Sequence, residues 1–249
     1  MEKINLKTEE EIKIMKEGGH ILSNIKKEAK KILKEGTTAK EVDDLVTKLI
    51  LNAKGRPSFQ MVSNYHWATC INKNDGVVHG IPGKNIVFKK GDIVSVDLGI
   101  FYKGFHSDSA FSVQIGEDSE KHFLEIGKKT LNSAIKKAKI GKTIKDISES
   151  IENSLSKENL SPIRSLTGHG VGRALHEAPA IPCFVVRGLE KIKIEEGMVL
   201  AIEIMYTKGK GDITIDNDGW TIRTKDAKIA ALFEESVAVT KNGPVILTN

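Results

Sequence analysis

The chain has 249 residues, of which 39% are hydrophobic and 29% are charged, and this composition is typical of a globular protein with a sizeable core. Its net charge of +5 is mild, and no stripe of basic and aromatic residues indicates a specific nucleic-acid interface. Because there are only two cysteines, no apolar run of ~18 residues and a highly charged N-terminus, we expect a cytoplasmic protein without disulfides or a membrane partner.

The first part of the chain predicts two amphipathic helices. Residues 8–11, Thr-Glu-Glu-Glu, form a capping box, and the apolar residues behind it keep the spacing of one helix face until Gly36. A second capping box at residues 38–41 begins another such helix, which ends before Gly55. From residue 56 to residue 83 the periodicity is lost and Asn, Gly and Pro accumulate, which predicts loops and short strands.

Two strands joined by a tight turn follow at residues 91–114, GDIVSVDLGIFYKGFHSDSAFSVQ. If Tyr-Lys-Gly is the turn, Asp97 and Asp108 lie directly opposite one another on one face, about 5 Å apart. Two bare carboxylates at that distance repel, so a divalent cation between them is the natural counter-charge. The alternative is a surface hairpin with two solvated acids.

The second half of the chain begins with two more helices. Apolar residues from Phe123 to Ala138 mark the first, which Gly141 closes, and Thr-Ile-Lys-Asp at residues 143–146 begins the second. A glycine-rich loop is predicted over residues 167–172, and a strand begins at Gly197.

The two halves resemble each other. GTTAKEV at residues 36–42 matches GKTIKDI at 141–147, and GDIVSVD at 91–97 matches GMVLAIE at 197–203, at a nearly constant offset. A steady offset predicts a duplicated unit, with pseudo-repeats at about 8–115 and 120–240 in one domain of residues 1–249, although two short matches can also arise by chance. Glu203 is then the mate of Asp97, and strand alternation places each on a small, polar face that lines a shared cavity.

Glu234 and three histidines complete the candidate groups. Glu234, in FEESVAVT, opens a strand that could pair back as Asp108 does, while His79, His169 and His176 lie in glycine-punctuated loops. A lone histidine is more often structural than a ligand. His169 and His176 are seven residues apart, which in an extended chain directs them to opposite faces, so we expect one ligand and one nearby polar group.

Four carboxylates and one imidazole are a donor set for two divalent ions bridged by carboxylates. The nitrogen ligand favours Co, Mn, Fe or Zn over Mg, and two such ions activate water for hydrolysis. The sequence has no CxxC, HExxH or GxSxG motif, which excludes the common zinc and serine-nucleophile signatures. GHGVGRA matches a dinucleotide-binding loop only weakly, because no strand–helix unit with a downstream acid is clear.

Six segments now carry a family resemblance: VVHGIP, VDLGIFYKGFHSDSA, TGHGVGRALHE, MVLAIEI, DGWTIRTKD and FEESVAVT. In order and spacing they resemble the type I methionine aminopeptidases, in their short bacterial form, of metallopeptidase family M24. The resemblance covers nearly the whole chain. It implies the α/β (α+β) pita-bread fold, a pseudo-twofold duplicated unit with a curved antiparallel sheet backed by helices. It also implies a hydrolase that removes the initiator methionine from nascent polypeptides when the second residue is small.

The resemblance implies a ligand set for two divalent ions: Asp97, Asp108, His169, Glu203 and Glu234. Asp108 and Glu234 are expected to bridge the ions. Asp97 holds one ion with both oxygens, and His169 and Glu203 complete the other. Glu235 is interpreted as a solvated neighbour.

The resemblance also implies catalytic and substrate-binding roles. His79 is similar to the residue that hydrogen-bonds the scissile amide nitrogen, His176 to the one that steadies the tetrahedral oxyanion, and Glu203 to the general base toward water. The methionine pocket is matched by three residues: Tyr65, Cys70 and Trp220. Trp220 could equally be an ordinary hairpin aromatic.

The chain departs from the family pattern at a few places. Ile204 stands where a proline usually follows the ligand glutamate, Leu175 stands where an aromatic residue is common, and residues 59–67 diverge, which leaves the breadth of the pocket open. The sequence has neither a zinc-binding N-terminal extension nor the large insert of type II enzymes. There are two alternatives. The first is a Xaa-Pro aminopeptidase or prolidase, which usually carries an added N-terminal domain. The second is a non-catalytic pita-bread binding protein. We expect a monomer whose mild basic charge permits weak ribosome association.

Overall fold

A computed structural model describes residues 3–249. The first half of this part of the chain contains two helices and five strands: α1 (Glu9–Ile32), α2 (Ala39–Asn52), β1 (Arg56–Pro57), β2 (Thr69–Lys73), β3 (Gly76–Val78), β4 (Ile93–Tyr102) and β5 (Phe105–Gln114). Both predicted capping boxes are confirmed, because the hydroxyls of Thr8 and Thr38 accept hydrogen bonds from the third residue of each helix. Helix α1 ends at Ile32 rather than Gly36, since Leu33 already has extended dihedrals.

The second half repeats two helices and then adds strands: α3 (Lys121–Ile135), α4 (Ile144–Ser156), β6 (Ser161–Pro162), β7 (Thr167–Gly170), β8 (Glu177–Pro182), β9 (Val199–Thr207), β10 (Ile213–Ile215), β11 (Ile222–Thr224), β12 (Ala230–Thr240) and β13 (Gly243–Ile246). Helix α3 stops before Ala138, which is nevertheless buried in the core. The predicted glycine-rich loop contains strand β7, because its glycines allow neighbouring backbone to approach closely rather than break the strand.

The main sheet is antiparallel along the order β1-β4-β5-β12-β9-β7-β8. Strands β2, β13 and β6 pair alongside β4, β12 and β9, and β10, β11 and β3 form a small separate sheet. Helix α1 packs on β4 and β5, and α3 packs on β9 and β12, so helices cover one face of the sheet in both halves. The opposite face of the central strands lines a cavity. No helix within residues 3–249 is long and apolar enough to cross a membrane.

The β4–β5 hairpin has a two-residue turn, which overturns one prediction. Tyr102 pairs with Phe105, and the turn residues Lys103 and Gly104 both have positive φ, 47° and 92°, as in the tight turns that match strand twist. The turn lies one residue later in the chain than pairing of Asp97 with Asp108 requires, so Asp97 pairs with Ala110 instead. The two aspartates therefore share a face as predicted, but they are diagonal neighbours rather than direct partners.

The two halves are built alike around the central strands. Each half has two consecutive helices, and an isolated bridge joins the capping residue of the second helix to a later segment, Thr38 to Val87 in one half and Thr143 to Lys193 in the other. Each half then contributes a long antiparallel strand pair, β4–β5 and β9–β12. These pairs meet between β5 and β12, at the centre of the main sheet.

Candidate metal centre and substrate cavity

Three of the four predicted acidic ligands lie in one row across the central strands. Asp97 on β4 pairs with Ala110 on β5, Ala110 pairs with Glu234 on β12, and Glu234 pairs with Glu203 on β9. Asp108 lies two residues along β5 from Ala110 and so projects from the same face. Glu234 is the fifth residue of β12 rather than its first, and it occupies the position that Ala110, not Asp108, holds in the other half. The duplicated strands therefore deliver acids to one side of the sheet, but not at equivalent positions.

His169 reaches the same place from β7. A side chain on Gly168 would meet the carbonyl oxygen of Ala201 at 2.6 Å, and one on Gly170 would meet that of Ala178 at 2.3 Å, so glycines are required on both sides of the histidine. Nδ1 of His169 lies 2.9 Å from the carbonyl oxygen of Gly170 and donates to it. That bond leaves the Nε2 lone pair directed away from the backbone, 4.0 Å from a carboxylate oxygen of Glu203.

Asp108, His169 and Glu234 each offer one donor atom, and these atoms all lie within 4.8 Å of one another. Glu203 lies next to this group, because one of its carboxylate oxygens is 4.0 Å from Nε2 of His169. Asp97 lies next to it as well, because Ala110 pairs with both Asp97 and Glu234. The structure thus brings all five predicted ligands to one region of the cavity-facing side.

Burial perturbs all five of these groups. It raises the pKa of Asp108 to about 7 and, with the charge of Asp108 added, raises the pKa of Asp97, Glu203 and Glu234 well above their usual values. Burial also lowers the pKa of His169 to about 4, so its imidazole is neutral near pH 7. A divalent ion requires ionised carboxylates and a neutral imidazole. His169 meets the second requirement, and a cation beside the four acids would lower their pKa values again by favouring the charged form.

Two buried carboxylate oxygens support this fit directly. Within residues 3–249, neither Oδ1 of Asp97 nor Oε1 of Glu234 has a hydrogen-bond partner. An unpaired buried oxygen is unfavourable by roughly 1–3 kcal/mol, and by more when it is charged. Hard oxygen donors and one nitrogen donor converging with free lone pairs fit a site for divalent ions.

His176 and His79 flank the acidic cluster. The chain turns between β7 and β8, so the rings of His169 and His176 lie 4.5 Å apart, edge to face. The prediction that they project from opposite faces is wrong, because it assumed one continuous extended segment. His79 has a positive φ of 57°, which residues other than glycine seldom adopt, and its ring lies 6.4 Å from that of Trp220.

Every candidate residue lines a single cavity of about 230 Å³: Tyr65, Cys70, His79, Asp97, Asp108, His169, His176, Glu203, Trp220 and Glu234. Leu175 and two residues of the divergent segment 59–67, Phe59 and Val62, also line the cavity. Four further lining residues were not among the candidates: Val78, Leu166, Thr167 and Met205. Strand alternation could have found Met205 and Thr167, because each lies two residues from a predicted ligand on the same strand. Phe59 and Val62 lie in an irregular segment that carries no periodic signal.

The apolar end of the cavity is rich in aromatic rings. The Tyr65 ring packs edge to face on Trp67 and Trp220, at 5.3 and 5.0 Å. The hydroxyl of Tyr65 is bound to backbone, 2.9 Å from the carbonyl oxygen of Thr69, so the residue offers its ring to the cavity. Burial raises the pKa of the Cys70 thiol well above its usual value, so the thiol is neutral and acts as a small apolar group.

Glu235 is not a solvated neighbour of Glu234, and that prediction is wrong. Its carboxylate lies on the helix-covered face, 2.6 Å from Nζ of Lys26 on α1, and it accepts hydrogen bonds from the hydroxyls of Ser109 at 3.0 Å and Thr248 at 2.5 Å. Because successive side chains of a strand project from opposite faces of the sheet, Glu235 and Glu234 lie on different faces. Lys26 is distant in sequence, so a local pattern could not reveal its ion pair with Glu235.

Known proteins match this chain over nearly its whole length. A family model described as metallopeptidase family M24 matches residues 13–241. The chain belongs to metallopeptidase family M24. The chain is 37% identical over 244 residues to methionine aminopeptidase 1 of Bacillus subtilis, covering 97% of this chain and 98% of that protein. It is also 37% identical to the methionine aminopeptidase of Aquifex aeolicus, with 98% of each chain covered.

Solved structures of similar proteins agree with the fold. The chain superposes on methionine aminopeptidase from Thermotoga maritima with a TM-score of 0.96 and 38% identity, covering 99% of this chain and all of that one. Prolidase from Pyrococcus furiosus matches with a TM-score of 0.77 and 25% identity, but only 65% of its length is covered. The pita-bread fold of this M24 chain is thereby confirmed, and its match to the methionine aminopeptidases extends over both full lengths.

Proposed function

We propose that this chain is a metal-dependent aminopeptidase that hydrolytically removes the initiator methionine from nascent polypeptides when the second residue is small. The observation that carries the proposal is one cavity in which five metal-type donors adjoin an aromatic, sulfur-containing pocket. Full-length similarity to proteins named methionine aminopeptidase supports it.

Two divalent ions, Co, Mn, Fe or Zn, would be held by Asp97, Asp108, His169, Glu203 and Glu234, with Asp108 and Glu234 shared between them. The unpaired oxygens of Asp97 and Glu234 and the neutral His169 support this assignment. Ions of this kind, when bound, supply a Lewis acid and lower the pKa of a water molecule.

The remaining roles belong to side chains around the cluster. Glu203 accepts the proton of the attacking water, since its carboxylate lies in the cavity beside the ligand group, 4.0 Å from Nε2 of His169. His79 hydrogen-bonds the nitrogen of the scissile amide, and His176 donates to the oxygen that becomes negative in the tetrahedral intermediate. The positive φ at His79 supports this role, because such a conformation is retained where a side chain must be aimed.

The substrate side chain lies among Tyr65, Cys70 and Trp220. Aromatic edges and a neutral thiol suit a thioether, which makes favourable sulfur–aromatic contacts. Leu175, which packs against Tyr65 and Cys70, completes the wall. Among residues 3–249, no lysine or arginine lines the cavity to pair with an acidic substrate side chain.

The proposal extends to the setting of the enzyme. We infer a single catalytic domain over residues 1–249, made of pseudo-repeats at about 8–115 and 120–240, acting as a cytoplasmic monomer. The net charge of +5 supports weak, salt-sensitive ribosome association near emerging N-termini.

The test is the release of free methionine from Met-Gly and Met-Glu peptides by the metal-depleted chain, with each ion added back in turn. We expect activity to return with the ions and to favour Met-Gly, and we expect Glu203→Gln to lower kcat by ~10²–10⁴-fold. Near wild-type rates for Glu203→Gln or Asp97→Ala would refute the site. Cleavage of an Ala-Pro peptide but not of Met-Gly would instead indicate a Xaa-Pro aminopeptidase or prolidase, and metal-independent inactivity would indicate a binding protein.

A further inference from the structure

The two halves of the site meet along a short seam between β5 and β12. In the described chain these strands pair in register at two positions, Ala110 with Glu234 and Ser109 with Glu235. The flanking strand pairs, β4–β5 and β9–β12, are in register along nearly their whole length. The seam that sets Asp108 against Glu234 therefore has few backbone hydrogen bonds of its own.

At one end of this seam, a serine hydroxyl takes the place of the backbone-to-backbone hydrogen bonds between the two strands. Ser236 is one residue beyond the paired Glu235, and Asp108 is one residue beyond the paired Ser109. The Ser236 hydroxyl accepts from the Asp108 backbone N–H at 2.9 Å and donates to the Asp108 carbonyl oxygen at 2.8 Å. One hydroxyl, with one proton and two lone pairs, thus satisfies both backbone groups of a buried residue.

Another serine does the same at the other end. The Ser112 hydroxyl accepts from the Leu232 backbone N–H at 3.0 Å and donates to its carbonyl oxygen at 2.8 Å. Because that proton is used, Ser95, whose oxygen lies 2.7 Å away, donates to Ser112. Ser112 and Ser236 lie two residues after Ala110 and Glu234 on their strands, so they are counterparts in the two halves.

The inserted hydroxyls fix how far the strands separate. A direct ladder would bring the strands to ~4.7–4.9 Å, whereas a hydroxyl between the backbones holds them farther apart at both ends. Ser236 lies in register beside Ala201, which pairs with His169. It therefore lies between the strand that carries Asp108 and the strands that carry Glu203 and His169.

We propose that Ser236 is a positioning residue for the metal centre. Its hydroxyl sets the separation of β5 from β12 at Asp108, and so keeps the Asp108 carboxylate close enough to Glu234 and His169 for the three side chains to bind the same ion. This inference rests on the proposed function, because it concerns the same ligands. Ser112 is the matched control, since it makes the same kind of bridge to Leu232, which is not a ligand.

The test compares four variants of the full chain: Ser236→Ala, Ser112→Ala, Ser236→Thr and Ser112→Thr. Co²⁺ affinity of each metal-depleted variant is measured by calorimetry and visible absorption, and thermal unfolding is measured without metal. Both alanine variants leave one buried N–H and one C=O unpaired, and Ser112→Ala also removes the acceptor of the Ser95 hydroxyl, so we expect Ser112→Ala to lose at least as much thermal stability as Ser236→Ala. We expect Ser236→Ala to weaken Co²⁺ binding about tenfold or more, Ser112→Ala to change it less than about threefold, and both threonine variants to bind as wild type does.

Equal effects of the two alanine variants on Co²⁺ affinity, or an unchanged affinity in Ser236→Ala, would overturn the proposal and leave the proposed function intact. A wild-type chain that does not bind Co²⁺ would overturn both. If an alanine variant does not fold, Ser236→Cys and Ser112→Cys replace the pair, because a thiol is a weak donor of similar shape; the same difference in affinity is then required.

Discussion

Glu234 and Glu235 are neighbours on β12, yet they lie on opposite faces of the sheet and have opposite surroundings. On the helix-covered face Glu235 is paired with Lys26 and accepts two hydroxyl hydrogen bonds. On the cavity face Glu234 is 3% exposed and keeps an oxygen without a partner in the described chain. The charged groups that act most on Glu234 are other acids, Asp108 first.

The same contrast separates the cavity acids from the most deeply buried ion pair within residues 3–249. Lys7 and Glu177 lie 2.5 Å apart with side chains 1% and 2% exposed. Elsewhere in residues 3–249 the buried or half-buried acids have partners: Glu177 and Glu235 are paired with lysines, and Asp43 accepts three hydrogen bonds from residues 68–69. The cavity acids lie beside one another instead, and no lysine or arginine of this part of the chain lines the cavity. We conclude that the cavity acids are arranged for a cation that comes from outside the chain.

The largest expected effect on activity comes from replacing the carboxylate of each of the two neighbouring glutamates by an amide. Glu234→Gln should lower kcat/KM for methionine release by on the order of 10³-fold, because loss of a ligand exceeds the 10–100-fold typical of supporting groups. Glu235→Gln should lower it no more than about tenfold, because that side chain supports the sheet from behind. Steady-state assays on Met-Gly peptides at saturating Co²⁺ decide this, and equal losses would remove the distinction between the faces.

The buried pair gives the next largest effect, on stability. Lys7→Met leaves Glu177 charged and unpaired, which should lower the free energy of unfolding by about 3–5 kcal/mol. The double variant Lys7→Met/Glu177→Gln should regain most of that loss. Urea unfolding measures both, and additive losses in the double variant would show that the two residues do not act as a pair.

A smaller effect is expected from the buried base His106. Burial lowers its pKa from 6.5 to about 4, and its Nδ1 lies 2.9 Å from the hydroxyl of Ser58. Because the unfolded state binds a proton first, this group's contribution is complete above about pH 6.5 and is lost as the pH falls through 4. Between about pH 7.5 and pH 5, wild type should lose about 2 kcal/mol more stability than His106→Asn. Parallel pH profiles for the two proteins would contradict this assignment.

The sequence predicted the helices, the acids and their common face well, because each depends on short-range pattern. Capping boxes, strand alternation and the family motifs are all local, and they led to all five donors that the structure brings together. The hairpin register was missed because it depends on a positive φ at Lys103, which a non-glycine residue adopts only in particular turns.

Long-range contacts were beyond the reach of such patterns. The proximity of His169 and His176 depends on a bend between two strands, and the Lys26–Glu235 pair joins residues 209 positions apart. The serine bridges at the seam are invisible in sequence, because serine has no strong strand signal and each contacts backbone rather than a matching side chain.

The most direct test of the central claim is thermal unfolding of wild type, Glu234→Gln and Glu235→Gln, each without metal and with Co²⁺ at about 100 times the Kd of the wild-type protein. Binding at that ratio stabilises by about 2.7 kcal/mol, which corresponds to a rise in Tm of roughly 5–10 °C. We predict that rise for wild type and Glu235→Gln but not for Glu234→Gln, and without metal we predict that Glu235→Gln unfolds at a lower temperature than wild type while Glu234→Gln does not. An equal rise in all three proteins, or a loss of metal-free stability in Glu234→Gln as large as that in Glu235→Gln, would contradict the account.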